Sequence, residues 1–130
     1  MPILFDTSVA IALREGEAAI LEKTSNLAEI PMLSILSVVE LEGGVAFAPE
    51  GVAARRAALD RLLGTLEILP FDRAEVAAYR NIIEIQGFSR RLTFDRMIAA
   101  QAIVAGASLA TLNPRDFRNM PSLTVEDWSR

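Results

Sequence analysis

The sequence predicts an α/β fold, a three-layer α/β/α sandwich around a central, mostly parallel sheet of four to five strands. Three observations predict it. Short apolar runs alternate with longer helical patterns along the whole chain. The runs are apolar throughout rather than at every second residue, as in strands covered on both faces. And 130 residues with 52% hydrophobic content suit a single domain, 1–130, whose core needs no covalent staple.

The elements follow in order. Residues 2–5 (PILF) predict a short buried strand, and residues 7–14 and 17–26 two helical stretches. Residues 30–36 (IPMLSIL) predict the second strand, and 38–47 a helix that Gly43 and Gly44 weaken. An alanine- and arginine-rich helix is expected over 51–65, then a third strand at 66–69 (LEIL), stopped by Pro70. Residues 72–86 predict a helix ending at Gly87, and 93–105 an apolar helix ending at Gly106. Residues 108–112 (SLATL) predict the fourth strand, and 123–125 an edge strand.

Composition narrows the chemistry. The chain has no cysteine and no histidine. That excludes disulfides, thiolate metal sites, histidine-based acid–base catalysis and the usual zinc sites. A bound metal must therefore take oxygen ligands, which favours Mg²⁺ or Mn²⁺. The first residues, MPILFDTS, lack a basic segment and a long apolar core, so a cytoplasmic protein without membrane association is expected. The formal net charge is −4, yet of the 13 basic residues all but Lys23 are arginine. Arginine binds phosphate bidentately and stacks on bases. It clusters at Arg55/Arg56/Arg61, Arg90/Arg91/Arg96 and Arg115/Arg118, which reads equally as ordinary solvated helix faces.

Four acids fall where a parallel sheet places its functional crevice, beyond the carboxyl ends of the strands. Asp6 directly follows the first strand. Glu40 is expected in the first turn of the helix after the second, and Asp116 follows the fourth. Asp95 opens a helix that turns tightly at Gly106-Ala107 into the fourth strand, so it runs antiparallel to that strand. Its 13 residues rise about 20 Å, which returns Asp95 to the same edge. Each acid also has a plain reading. Asp6 suits a helix N-cap, Ser37-Val-Val-Glu40 has the form of a capping box, Asp95 complements a helix dipole and Asp116 suits a turn. Those readings do not explain why all four share one rim. Clustered carboxylates repel, and a divalent cation removes the repulsion while activating water against a phosphodiester. Two rival α/β classes fail on the same residues. A phosphoacceptor receiver needs paired acids after the first strand and a late lysine, and an aspartyl phosphatase needs a second acid two residues on. Here Asp6 is followed by Thr7 and Ser8, and Lys23 is the only lysine.

LFDTS, SVVELEGG, TFDRMIAAQA, LATLNPRDF and LTVEDWS, in that order, resemble the PIN-domain family, and within it the VapC toxins of type II toxin–antitoxin pairs. The resemblance spans essentially the whole chain. It implies a PIN-like sandwich and a Mg²⁺- or Mn²⁺-dependent endoribonuclease, with Asp6, Glu40, Asp95 and Asp116 as the catalytic acids. Of these, Asp6, Asp95 and Asp116 would ligate the metal, and Ser8, Thr111 and Asn113 match polar positions that support the acids. Glu42 is expected on another face of its helix. Arg90, Arg91 and Arg96 flank Asp95 and are the candidate RNA contacts. The resemblance also implies an RNA substrate, a homodimer and a cognate VapB-like antitoxin. The ending EDWS is similar to that of toxins that cut the anticodon stem-loop of initiator tRNA. The loop QGFSRRL (residues 86–92) departs from the G-K-P-I-G type common in the family, which leaves the substrate open. A non-catalytic PIN-like protein-binding domain is the alternative.

Overall fold

In the computed structural model, residues 1–47 and 50–130 are described. Five strands form one parallel sheet in the order β3-β2-β1-β4-β5. They are β1 (Ile3–Phe5), β2 (Met32–Ser34), β3 (Glu67–Leu69), β4 (Ser108–Thr111) and β5 (Thr124–Asp127). The helices are α1 (Thr7–Arg14), α2 (Ala18–Ser25), α3 (Ile35–Phe47), α4 (Val52–Leu63), α5 (Arg73–Gln86) and α6 (Thr93–Ala105), with a 3₁₀ turn at Pro114–Phe117. Every strand pair is parallel, and the expected edge strand is a full member of the sheet. Among the described residues no helix is long and apolar enough to cross a membrane.

The two sheet faces carry separate cores, as the all-apolar strands require. Ile3 and Phe5 of β1 point into one, with Val9 and Ala10 of α1, Ile20 of α2, Leu41 and Val45 of α3, and Leu59 and Leu62 of α4. Leu4 points into the other, with Ile82 of α5 and Ile98, Ala99 and Ala102 of α6. Alternate residues of β1 thus serve opposite faces. Trp128, just after β5, packs edge-on to Phe5 with ring centroids 5.1 Å apart. The contact fastens the last strand to the first.

Two sequence expectations change. The second strand is shorter than residues 30–36, and the next helix starts earlier than 38. The cause is Ser34, which is fully buried and whose Oγ accepts the Leu36 N–H at 2.9 Å, turning the chain into α3 at once. Ser37 therefore lies inside the helix and caps nothing, so the capping-box reading falls. Glu40 sits in the second turn of α3 rather than the first. Gly43 and Gly44 stay within that helix, where a Cβ would meet nothing within 4 Å. The α6 helix ends as expected. Gly106 takes the left-handed conformation (φ 64°), and the Ala107 N–H donates to the Ala102 carbonyl at 2.9 Å.

Candidate functional site

One cavity of about 670 Å³ opens at the carboxyl edge of the sheet, and Asp6, Glu40, Asp95 and Asp116 all line it. Thr7, Ser8, Thr93, Phe94, Asn113 and the arginines Arg90 and Arg91 also contribute.

Asp6 is the most constrained acid. It leaves β1, which its backbone N–H extends by donating to the Ala110 carbonyl at 3.0 Å, and it serves as the N-cap of α1. Its Oδ1 accepts from the Val9 N–H (3.0 Å) and the Ser8 hydroxyl (2.6 Å), and its Oδ2 from the Thr111 hydroxyl (2.5 Å). The capping role and the site role are thus filled by the same carboxylate. Burial nevertheless pushes the Asp6 carboxyl above its usual range, against the bonds from Ser8, Thr111 and Val9 that favour the charged form. Ser8 and Thr111 are tied in turn. Ser8 Oγ accepts the Leu112 N–H at 3.1 Å, and Thr111 Oγ1 accepts the Asn113 N–H at 2.9 Å. Asn113 therefore supports Asp6 through its backbone, while also lining the cavity.

Asp95 is half-buried in the first turn of α6, and its carboxyl is pushed up to about 6. Burial is the largest cause, followed by the negative charges of Asp116, Asp6 and Glu40; Arg91 acts the other way. The four acids therefore share one electrostatic field. Asp116 sits in the 3₁₀ turn, which the buried Phe117 pins into the second core. The guanidinium of exposed Arg91 donates to Asp116 Oδ1 at 3.4 Å. Glu40 reaches in from the exposed side of α3, and its Oε1 accepts from the Thr7 hydroxyl at 3.0 Å. Among the described residues, no three acidic side chains are already gathered to metal-binding distance; the four surround a space.

Arg90 and Arg91 stand exposed at this cavity. Arg96 does not, which corrects its reading as an RNA contact. It is 5% exposed, and its Nη1 donates to the Gly87 carbonyl at 2.5 Å, bracing the loop between α5 and α6. Its Nε has no partner among the described residues. Glu42 faces away from the cavity, as expected, and makes a two-pronged ion pair with Arg56 (2.6 and 2.9 Å). Arg56 also holds Asp60 at 2.7 Å. That pairing holds the Glu42 carboxyl below its usual range, chiefly through the Arg56 hydrogen bond. Sequence reasoning missed Thr7 and Phe94 at the cavity. The available signal was adjacency, since each neighbours a chosen acid.

The PIN domain family profile matches residues 3–123. Ribonuclease VapC1 of Rickettsia felis is 33% identical over 129 residues, covering 96% of this chain and 95% of that protein. The chain belongs to the PIN-domain family, in its VapC branch. Among solved structures, VapBC2 from Rickettsia felis, bound to a DNA fragment from its promoter, superposes with a TM-score of 0.86 at 24% identity, covering 98% and 99% of the two chains. DNA-bound VapBC from Salmonella typhimurium also gives 0.86, at 22% identity and 98% of each chain. At those identities the likeness is one of fold.

Proposed function

We propose that this chain is a Mg²⁺- or Mn²⁺-dependent endoribonuclease, the toxin of a type II toxin–antitoxin pair. One observation carries the reading: four acids from four separate elements line one cavity, with two exposed arginines among its residues. The VapC1 relative bears the name ribonuclease, which supports an RNA substrate. The likeness to VapBC assemblies supports a VapB-like antitoxin as partner. A homodimer and a tRNA target belong to the same proposal.

The donor chemistry fits a hard divalent cation. The chain offers oxygen ligands only, since it lacks His and Cys. A carboxylate has about four acceptor positions, and Asp6 commits three of them to Val9, Ser8 and Thr111. Asp95 sits in a field that disfavours its charge, which a cation reverses. Asp6, Asp95 and Asp116 would hold the ion. Asp116 is partly exposed, and rotation of its side chain would complete the ligand set, while Glu40 would reach the ion through a bound water. When bound, the cation supplies activation of water and neutralisation of phosphate charge. Glu40 orients the attacking water. Arg90 and Arg91 grip the flanking phosphates, and Asp6 stays fixed by its three bonds while the RNA is cut.

The test uses purified protein freed of any antitoxin, incubated with total RNA and Mg²⁺ or Mn²⁺, beside EDTA and Asp6→Asn controls. Cleavage lost in both controls, with 5′-phosphate and 3′-hydroxyl ends, supports the reading. Ends carrying 2′,3′-cyclic phosphate would overturn the water mechanism. Equal cleavage by wild type and Asp6→Asn would remove the site.

A further inference from the structure

We propose that Thr7 is the positioning residue of Glu40, and that it works as the middle of a one-way line of hydroxyls that starts at Ser37. The proposal rests on the nuclease reading above, because it concerns one acid of that site. Thr7 Oγ1 lies 2.7 Å from Ser37 Oγ and 3.0 Å from Glu40 Oε1. A carboxylate only accepts, and a threonine hydroxyl has a single proton. That proton goes to Glu40. The proton in the Ser37–Thr7 contact must then come from Ser37. The line therefore runs Ser37 to Thr7 to Glu40, with its direction set by the carboxylate at its end.

The placement of the three residues gives this line its use. Ser37 and Glu40 are three apart on α3, so they lie on one helix face. Ser37 is fully buried and cannot turn to water. A buried helical serine ordinarily bonds back to its own helix; here it crosses to α1 instead. Glu40 is exposed, and a long exposed side chain samples many rotamers unless something selects one. Thr7 selects the rotamer in which Glu40 lines the cavity. Thr7 is itself stiff, being β-branched in the first turn of α1, and the N-cap bond of Asp6 fixes that turn. Two consecutive residues in the first turn of α1 thus serve two acids. Ser8 braces Asp6, and Thr7 braces Glu40.

The experiment measures Mn²⁺ binding by calorimetry without RNA, then RNA cleavage, for wild type, Thr7→Val, Thr7→Ser, Ser37→Ala, Glu40→Gln and the double variant Thr7→Val/Glu40→Gln. Thermal unfolding of each reports folding. Thr7→Val keeps the shape and removes the hydroxyl. It should weaken Mn²⁺ binding or RNA cleavage by about tenfold or more, the usual scale for a residue that orients a group at a metal site. Thr7→Ser should restore most of the loss, and Ser37→Ala should lose less than Thr7→Val. In the Glu40→Gln background Thr7→Val should add nothing, because its effect runs through Glu40. If Thr7→Val does not fold, Ser37→Ala in the two backgrounds answers the same question. Wild-type behaviour of Thr7→Val, or an equal loss with and without Glu40, overturns the proposal and leaves the nuclease reading standing. If Asp6→Asn retains binding and cleavage, the site itself is wrong and this proposal falls with it.

Discussion

Replacing Asp95 by asparagine should make the metal-free protein more stable while removing its activity. In the folded chain the Asp95 carboxyl ionises at about 6 against an ordinary 3.8. For a fully buried group that difference corresponds to about 3 kcal/mol. Asp95 is only half-buried, so solvent screening reduces the figure to about 1–2 kcal/mol. Asparagine also forfeits the helix-dipole interaction, about 0.3–1 kcal/mol. The net gain at pH 7.5 is about 1 kcal/mol, or roughly 3–5 °C in melting temperature for a domain of this size. The sign follows from linkage. Below pH about 4 the group is protonated in both states and costs nothing. Between about 4 and 6 the unfolded chain releases its proton first, so stability falls as pH rises, and above about 6 the full loss is in place. Burial shifts Asp6 in the same direction, which steepens the wild-type slope. The assay is thermal unfolding from pH 4 to 8 in EDTA and in Mn²⁺. Mn²⁺ should raise the wild-type melting temperature at pH 7.5 and leave Asp95→Asn nearly unmoved. A variant that melts at or below the wild type in EDTA at pH 7.5 would refute the reasoning.

Four further outcomes are expected. Thr111→Val strips Asp6 Oδ2 and the Asn113 N–H of a partner and should cost about 1–3 kcal/mol in urea denaturation, with Mn²⁺ affinity lower by roughly tenfold or more. Arg91→Ala should lower the slope of log affinity for RNA against log salt by about 1 while leaving the melting temperature near wild type. Arg96→Ala should do the reverse, losing stability with an unchanged slope. Gly106→Ala should destabilise by about 1 kcal/mol through its φ of 64° alone, since a Cβ there meets nothing within 4 Å.

The sheet was legible because its signal is local. Ile3, Leu4 and Phe5 are all buried, and a run of that kind announces a strand covered on both faces. The meeting of the four acids at one edge was legible from connectivity, because a parallel sheet followed by helices fixes which strand ends face together. What failed depended on single buried hydrogen bonds. Nothing in IPMLSIL distinguishes Ser34, which turns the chain, from a strand residue. Nothing in SRRLTFDR tells Arg96, which turns inward to the Gly87 carbonyl, from Arg91, which does not. Thr7 escaped notice because its partner lies 33 residues away, and beside it Asp6 already reads as the N-cap of the next helix.

The bond between Asp6 and Thr111 joins residues 105 apart, and β1, at the centre of the sheet, has β4 as one of its two neighbours. During synthesis β1 therefore waits, with one side unpaired, until β4 has left the ribosome. Long-range parallel pairing of this kind is slow to form. A nascent or truncated chain that stops before residue 108 lacks β4, Thr111 and Asp116, and its cavity has no far wall. The order of the elements thus acts as a timer. Whatever chemistry the four acids perform starts only after β4 and the turn that carries Asp116 have been made.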